Sequence, residues 1–170
     1  PAIQIVEFAD FECPFCAEMR LILEDVVKAH PDEVAIYFKQ FPLSHHLYSH
    51  TAARASLAAG RQGRFWQMHD LLFINQFSLS AEKITSFAKE LGLNMNRFAK
   101  DMESSETYSQ IEREKEEAKK ANLDSTPTIY INGRMYVDDK APEKIKAHIL
   151  SLVQGLNEGR TGSEPEKAKK

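Results

Sequence analysis

The chain has 170 residues, of which 42% are hydrophobic and 28% charged, a composition typical of one globular domain that argues against a disordered chain. Its net charge of −3 gives no reason to expect a nucleic-acid partner, and two cysteines are too few for a disulfide scaffold. No apolar run approaches the roughly 20 residues that cross a membrane.

The predicted elements begin with a strand, a helix and a second strand. Residues 3–8, IQIVEF, form a nearly continuous apolar run, which is typical of a buried strand. A helix is expected over residues 14–29, because apolar residues recur there at three- and four-residue spacing and Pro14 suits a first turn. Residues 34–38, VAIYF, have the pattern of another buried strand.

Residues 41–122 show no strand pattern. Helices are predicted there at about 48–59, 64–74, 81–91, 95–102 and 106–121. The segment TPTIYINGRMYV then predicts two short strands joined by a tight turn at Asn132-Gly133. A last helix is expected from Pro142 to about residue 156, and residues 157–170 are expected to form a disordered tail or linker because they offer almost nothing to bury.

Both cysteines lie where the first strand gives way to the first helix, in the sequence Cys13-Pro14-Phe15-Cys16. The unpaired N–H groups and the positive dipole end of a helix N-terminus favour a thiolate at Cys13. Cys16 lies one turn further along the same face, at a separation that fits a disulfide. We therefore predict a reversible dithiol/disulfide pair, with Cys13 exposed as the nucleophile and Cys16 beneath it as the resolving thiol.

Two other interpretations of the cysteine pair stay open. Two buried structural thiols would have no reason to occupy a helix N-terminus as a spaced pair. A metal site would need two further ligands, and without a third cysteine only histidines and carboxylates can supply them. His45, His46 and His50 lie together in SHHLYSH, although such residues in a loop are more often solvated or capping. We predict no metal in the site.

The chain resembles the DsbA-type thiol:disulfide oxidoreductases. Four features carry the resemblance: CPFC after a buried strand, Glu7 six residues before Cys13, the segment STPTIYING with Pro127, and the stretch from FPLS to GRFWQMHDLLF. The resemblance implies an α/β thioredoxin fold, in which a central mixed sheet carries an inserted helical subdomain. Residues 1–42 and 122–156 would then form the two halves of the thioredoxin-fold domain, and residues 43–121 the helical insertion.

The resemblance also implies roles for single residues. Cys13 corresponds to the attacking cysteine and Cys16 to the resolving one. Pro127 corresponds to the cis-proline that packs against the disulfide, and the main chain of Thr126 would pair with an extended substrate peptide. Pro14 and Phe15, between the cysteines, are expected to contact substrate.

Glu7 shares a face of its strand with Ile3 and Ile5, because side chains alternate along a strand. Either that face is partly wet, or Glu7 is a buried carboxyl with a raised pKa. We favour the second interpretation, in which Glu7 exchanges a proton with Cys16.

The implied function is disulfide exchange with reduced or misoxidised protein substrates outside the cytoplasm, in a periplasm or cell envelope, more as an oxidase than as a reductase. No cofactor is expected; a redox partner protein would reset the pair, and the chain would act as a monomer. Family oxidants often have histidine where this chain has Phe15, so we expect a weaker oxidant than DsbA. The alternatives are a thiol reductase and a metal-binding thioredoxin-like module that uses Cys13, Cys16 and histidine.

The start of the chain bears on location. The first residue is Pro1 rather than Met, so we expect a processed protein or an excised domain whose signal or anchor is absent from this sequence. A third alternative follows, in which the chain is a redox-sensing domain of a membrane protein.

Overall fold

The computed structural model describes residues 1–161. Its strands are β1 (Ile3–Ala9), β2 (Val34–Gln40), β3 (Thr128–Ile131) and β4 (Arg134–Met135). Its helices are α1 (Pro14–Ala29), α2 (Ser49–Gly60), α3 (Phe65–Ile74), α4 (Ala81–Glu90), α5 (Met95–Met102), α6 (Ser105–Lys120) and α7 (Pro142–Thr161), and a 3₁₀ turn covers Gln76–Ser78.

The four strands form one mixed sheet in the order β2-β1-β3-β4. β1 runs parallel to β2 and antiparallel to β3, so that Glu7 of β1 lies between Phe38 and Ile129 on the neighbouring strands. The hairpin from β3 to β4 turns at Asn132 and Gly133, whose φ angles of 49° and 77° are the left-handed values that a tight hairpin needs. The predicted α/β thioredoxin fold with a central mixed sheet is confirmed.

One hydrophobic core joins the sheet to α1 and α7. β1 contributes Ile3 and Ile5, and the apolar stripe of α1 contributes Met19, Leu23 and Val26, all of them buried. α7 closes the core with three isoleucine and valine side chains at three- and four-residue spacing, Ile145, Ile149 and Val153. The two helices therefore pack against each other beside the sheet.

The helices α2 to α6 enter the chain between β2 and β3 and build a second core. The small side chains of α2 are completely buried, at Ala52, Ala55, Ala58 and Ala59, and larger side chains of α3, α4 and α5 pack around them. Cys13 and Cys16 belong to this same core. The cysteine pair thus lies against the inserted helices as well as the sheet; the predicted domain boundaries themselves stay a prediction.

The last helix differs from its predicted end. α7 continues to Thr161, beyond the expected end near residue 156, so residues 157–161 extend the helix instead of forming the predicted tail. Residues 162–170 of that tail lie outside the described residues. Within residues 1–161, no helix combines the length and the apolar character needed to cross a bilayer.

Candidate active site

The two cysteines occupy the first turn of α1. Cys13 is the N-cap residue, with extended backbone, and Pro14 opens the helix in the position where proline is favoured. The carbonyl of Cys13 accepts the backbone N–H of Cys16 at 3.1 Å and that of Ala17 at 3.3 Å. This turn brings the two sulfur atoms together as free thiols.

The predicted exposure of Cys13 is wrong. The residue is only 5% exposed, and Cys16 is completely buried beneath it. The loop before β3 covers the Cys13 side chain. Its Thr126 carbonyl accepts a hydrogen bond from the Cys13 thiol at 3.4 Å. The two residues between the cysteines, Pro14 and Phe15, are both exposed, Phe15 to 68%.

The pKa values of the two thiols are shifted in opposite directions. The pKa of Cys13 is lowered to about 6, mainly because the Cys16 thiol donates a hydrogen bond to the Cys13 sulfur. Burial raises this pKa and so opposes the shift. Hydrogen bonds from the Thr126 side chain and from the N–H groups of Cys16 and Phe15 lower it further. Burial raises the pKa of Cys16, and the bond to Cys13 raises it further, as does the Glu7 carboxylate once it is ionised. At neutral pH the pair therefore carries one thiolate, on Cys13.

Thr126 and Pro127 lie directly beside this thiolate. The peptide bond between them is cis, as predicted for Pro127. Together with Phe15 and Met19 they line a groove of about 190 Å³ that extends toward Ile145 of α7. Pro14, also predicted to contact substrate, is exposed at the helix start and is not among the residues that line this groove.

Glu7 is the buried carboxyl that one interpretation of its strand predicted. The residue is 2% exposed, and its Oε1 atom has no hydrogen-bond partner among the described residues. Burial, followed by repulsion from the Cys13 charge, raises the pKa of Glu7 to about 8. Glu7 is consequently a neutral acid at pH 7 that can exchange a proton with a neighbouring sulfur.

Asp10 holds the loop before Cys13, a role that the sequence did not reveal. Its backbone carbonyl accepts the Cys13 N–H at 3.1 Å. Its buried carboxylate accepts the Leu43 N–H at 2.7 Å, contacts His46 Nδ1 at 2.9 Å and accepts the Ser49 hydroxyl. The entry to the insertion is therefore tied to the cysteine loop through one carboxylate.

Gln76 is a second residue that sequence reasoning missed. It lies in the 3₁₀ turn after α3, and its buried side-chain amide donates to the carbonyl of Phe11 at 3.1 Å and to that of Cys13 at 3.2 Å. These bonds fix the backbone of the nucleophile from the side of the insertion. Local sequence gave no signal for Gln76, since the contact spans more than 60 residues.

The three histidines considered as metal ligands have other neighbours. His46 binds Asp10, His45 packs against His46, and the His50 ring lies 5.6 Å from that of Tyr108. Within residues 1–161, no three histidine, cysteine or acidic side chains are grouped so that they could hold a metal ion.

Thr126→Val should raise the pKa of Cys13. The Thr126 hydroxyl is buried and has no partner among the described residues, so it is available to a thiolate, and valine keeps the shape without the donor. Since a hydrogen bond to a charged group contributes ~1.5–3 kcal/mol, a rise of about one pH unit is expected. Titration of the thiolate ultraviolet absorbance measures it. Thr128→Val is the matched control, because that hydroxyl donates to the Ser125 carbonyl; an equal rise there would contradict the assignment.

Glu7→Gln should remove a pH dependence of stability. Folding raises the pKa of Glu7 from 4.5 to about 8, so the folded chain keeps a proton that the unfolded chain releases between these values. Relative to Glu7→Gln, the unfolding free energy of the reduced wild type should fall as the pH rises through this range, by up to about 1.4 kcal/mol per pH unit. Urea unfolding at several pH values measures the difference. The exposed Glu116→Gln is the control, and a difference independent of pH would contradict the raised pKa.

The comparisons with known proteins identify the family of the chain. A family model described as Thioredoxin matches residues 2–150. The Na(+)/H(+) antiporter NhaA of Herminiimonas arsenicoxydans is 35% identical over 132 residues, which cover 78% of this chain and 21% of the antiporter. This chain thus spans about a fifth of that relative.

Two solved structures share the fold over most of their length. DsbA2 of Pseudomonas aeruginosa is 26% identical, with a TM-score of 0.70 over 91% of this chain and 88% of that one. The thiol-disulfide exchange protein alpha-DsbA2 of Wolbachia pipientis is 16% identical, with a TM-score of 0.78 over 89% of this chain and 82% of that one. The chain therefore belongs to the thioredoxin family, and it has the architecture and the dithiol of a DsbA-type thiol:disulfide oxidoreductase.

Proposed function

We propose that this chain exchanges disulfides with reduced or misoxidised protein substrates outside the cytoplasm through Cys13 and Cys16, and that it acts as an oxidase on the reduced ones. The observation that carries the proposal is the unequal acidity of the two thiols, with a stabilised thiolate at Cys13 and a buried thiol at Cys16. Thiolates and not thiols take part in disulfide exchange, so Cys13 is the sulfur that joins to substrate.

The oxidising cycle has two exchanges. A substrate thiolate attacks the Cys13 sulfur of the Cys13–Cys16 disulfide, the bond between the cysteines breaks, and Cys16 leaves with the electron pair and takes a proton from Glu7. A second substrate thiolate then attacks the substrate sulfur of the mixed disulfide, and Cys13 leaves as the thiolate. The substrate has lost two electrons to the pair, and the disulfide of a redox partner must take them up, so no cofactor is needed.

Substrate recognition is proposed to use main chain and an apolar rim. The Thr126 carbonyl points to Cys13 at the edge of the groove, where an extended peptide can pair with it, so affinity comes from backbone and sequence preference stays loose. Exposed apolar side chains flank this region, with Phe15 on α1 and Phe77 next to Gln76. Such a rim suits the apolar segments of unfolded chains.

The acidity of Cys13 supports the proposed direction of electron flow. A stabilised thiolate favours the reduced form of the pair, which makes the disulfide form an oxidant. The Cys13 pKa of about 6 lies between the reference values of ~7 for thioredoxin and ~3.5 for DsbA. We therefore propose an oxidant of intermediate strength; a reductase remains the alternative and would have a potential near that of thioredoxin.

The antiporter relative supports a second candidate function. Since this chain matches about a fifth of a Na(+)/H(+) antiporter, a chain of this kind can serve as the redox domain of a larger membrane protein. In that case Cys13 would exchange disulfides with a partner to signal the redox state rather than to fold substrates. The full-length reading frame separates the candidates, because only the second requires a transporter in the same polypeptide.

Substitution of each cysteine tests the proposed roles. Cys13→Ser should abolish oxidation of a reduced peptide. Cys16→Ser should leave a reactive Cys13 that attacks disulfide-bonded peptides, and the mixed disulfides should accumulate because Cys16 is no longer there to attack Cys13 and release the peptide thiol. Mass spectrometry of the trapped adducts measures this. In the native reduced wild type, Cys13 should be alkylated well before Cys16, and the reverse order would show that the roles are exchanged.

Phe15→His tests what sets the oxidising strength. The wild-type potential should lie between ~−270 mV for thioredoxin and ~−120 mV for DsbA. An imidazolium next to Cys13 stabilises the thiolate and not the disulfide, so the variant should have a lower Cys13 pKa and a less negative potential. Glutathione equilibria on both proteins measure this, with Phe15→Leu as the uncharged control. An unchanged potential in the histidine variant would show that groups outside the motif set it.

A further inference from the structure

A second cavity reaches the buried acid from another part of the surface. It has a volume of about 450 Å³ and lies among α1, β2 and α3. Its walls are mainly apolar, and its charged or titratable side chains are Glu7, Arg20, Glu24, Lys28, His69 and Asp70. It shares no lining residue with the groove formed by Phe15, Thr126 and Pro127, so a substrate in the groove leaves it open.

Glu7 needs such an opening. In each exchange it gives a proton to Cys16 or takes one from it, and it must then be restored from solvent. The carboxyl is buried, and its unpartnered Oε1 belongs to a residue that lines this cavity. The groove is the worse route, because bound substrate and the Thr126 loop cover the sulfur there.

His69 lines the same cavity as this carboxyl. Its ring is buried and packs edge-on against Phe38 at 5.1 Å between centroids, and Phe38 is the direct neighbour of Glu7 on the adjacent strand. Its Nδ1 atom lies 3.0 Å from Oδ1 of Asp70, whose side chain is 39% exposed. Nε2 is therefore the ring nitrogen left for the cavity.

We propose that His69 relays protons between Glu7 and the solvent at Asp70 through this cavity, a proposal that rests on the dithiol exchange proposed above. With Nδ1–H donated to Asp70, the neutral ring accepts the Glu7 proton on Nε2, and the imidazolium, held by the Asp70 carboxylate, releases a proton to water. When Cys16 leaves and takes the Glu7 proton, the same steps run in reverse. No electrons move in the relay.

The other charged groups of the cavity suit this role less well. Arg20 binds Asp70 at 3.2 Å and Glu24 at 3.0 Å, and a guanidinium does not give up its proton in proteins. The Glu24 carboxylate raises the pKa of Lys28 further above its usual range. Burial lowers the pKa of His69, which keeps the ring neutral and ready to accept a proton. Arg20 instead holds Asp70 in place as the acceptor beside His69.

The test measures the proton-coupled step separately from the equilibrium. A mixed disulfide of Cys13 with glutathione is formed, and its resolution by Cys16 is followed by rapid mixing at several pH values. His69→Gln should slow this step about tenfold or more. This is a smaller effect than the ~10²–10⁴-fold rate contribution of a group that transfers the proton directly to the reacting atom. The reduction potential should stay that of the wild type, because a relay changes rates and not equilibria. His50→Gln, on α2 against Tyr108, is the matched control and should resolve at the wild-type rate.

Further variants keep the proposal falsifiable if His69→Gln folds poorly. Asp70→Asn, at a partly exposed position, should also slow resolution, and added imidazole should restore the rate of His69→Gln. In a Glu7→Gln background, His69→Gln should have no added effect. The relay is overturned if His69→Gln resolves the mixed disulfide as fast as the wild type. It is also overturned if His69→Gln slows resolution as much in the Glu7→Gln background as it does in the wild type. If the wild type itself forms no mixed disulfide at Cys13, the proposed function fails instead.

Discussion

The hydrogen bond from the Cys16 thiol to the Cys13 sulfur is the interaction on which the rest of the site depends. It contributes most to the low pKa of Cys13, and it exists only while Cys16 keeps its proton. Burial of Cys16 maintains that proton, and the neutral Glu7 behind it adds no competing charge. Because like charges disfavour one another at short range, the three groups share a single negative charge, and that charge lies on the sulfur nearest the groove.

This arrangement requires a rigid backbone around Cys13, and the inserted helices supply it. Asp10 accepts the N–H of Cys13, and Gln76 donates to its carbonyl. The carboxylate of Asp10 also accepts donors from the start of the insertion, and hydrogen bonds to a charged group contribute ~1.5–3 kcal/mol each. Phe11, which lies between Asp10 and Cys13 in the sequence, stacks on Phe38 with 5.1 Å between the ring centroids. The insertion therefore helps to hold the backbone of Cys13 in place.

The sequence predicted the features that arise from local pattern. The helix N-terminus at Pro14, the hairpin at Asn132-Gly133 and the buried face of Glu7 each follow from a few adjacent residues, and each is confirmed. The thioredoxin fold was predicted from the order of motifs rather than from any one element.

The features that the sequence did not predict arise from distant contacts. Cys13 is covered because Thr126 approaches it from 113 residues away, which no local pattern indicates. Gln76 and the partners of Asp10 reach the cysteine loop across separations of about 30 to 65 residues, so their side chains look like ordinary polar residues of a helical segment. The extension of α7 over residues 157–161, NEGRT, has no apolar side chain, and the helix continues there without the periodicity that marks its start.

Helix α1 divides the tasks of the site between its two sides. Its N-terminus stabilises the thiolate, and on one side Phe15 and Met19 border the groove. On another side Arg20 and Leu23 border the cavity of Glu7. In the proposed mechanism, sulfur exchange and proton exchange therefore have separate openings, although the two sulfurs and the carboxyl lie buried close together. A substrate that fills the groove would then leave the cavity free, and the proton of Cys16 would reach solvent while the mixed disulfide is still in place.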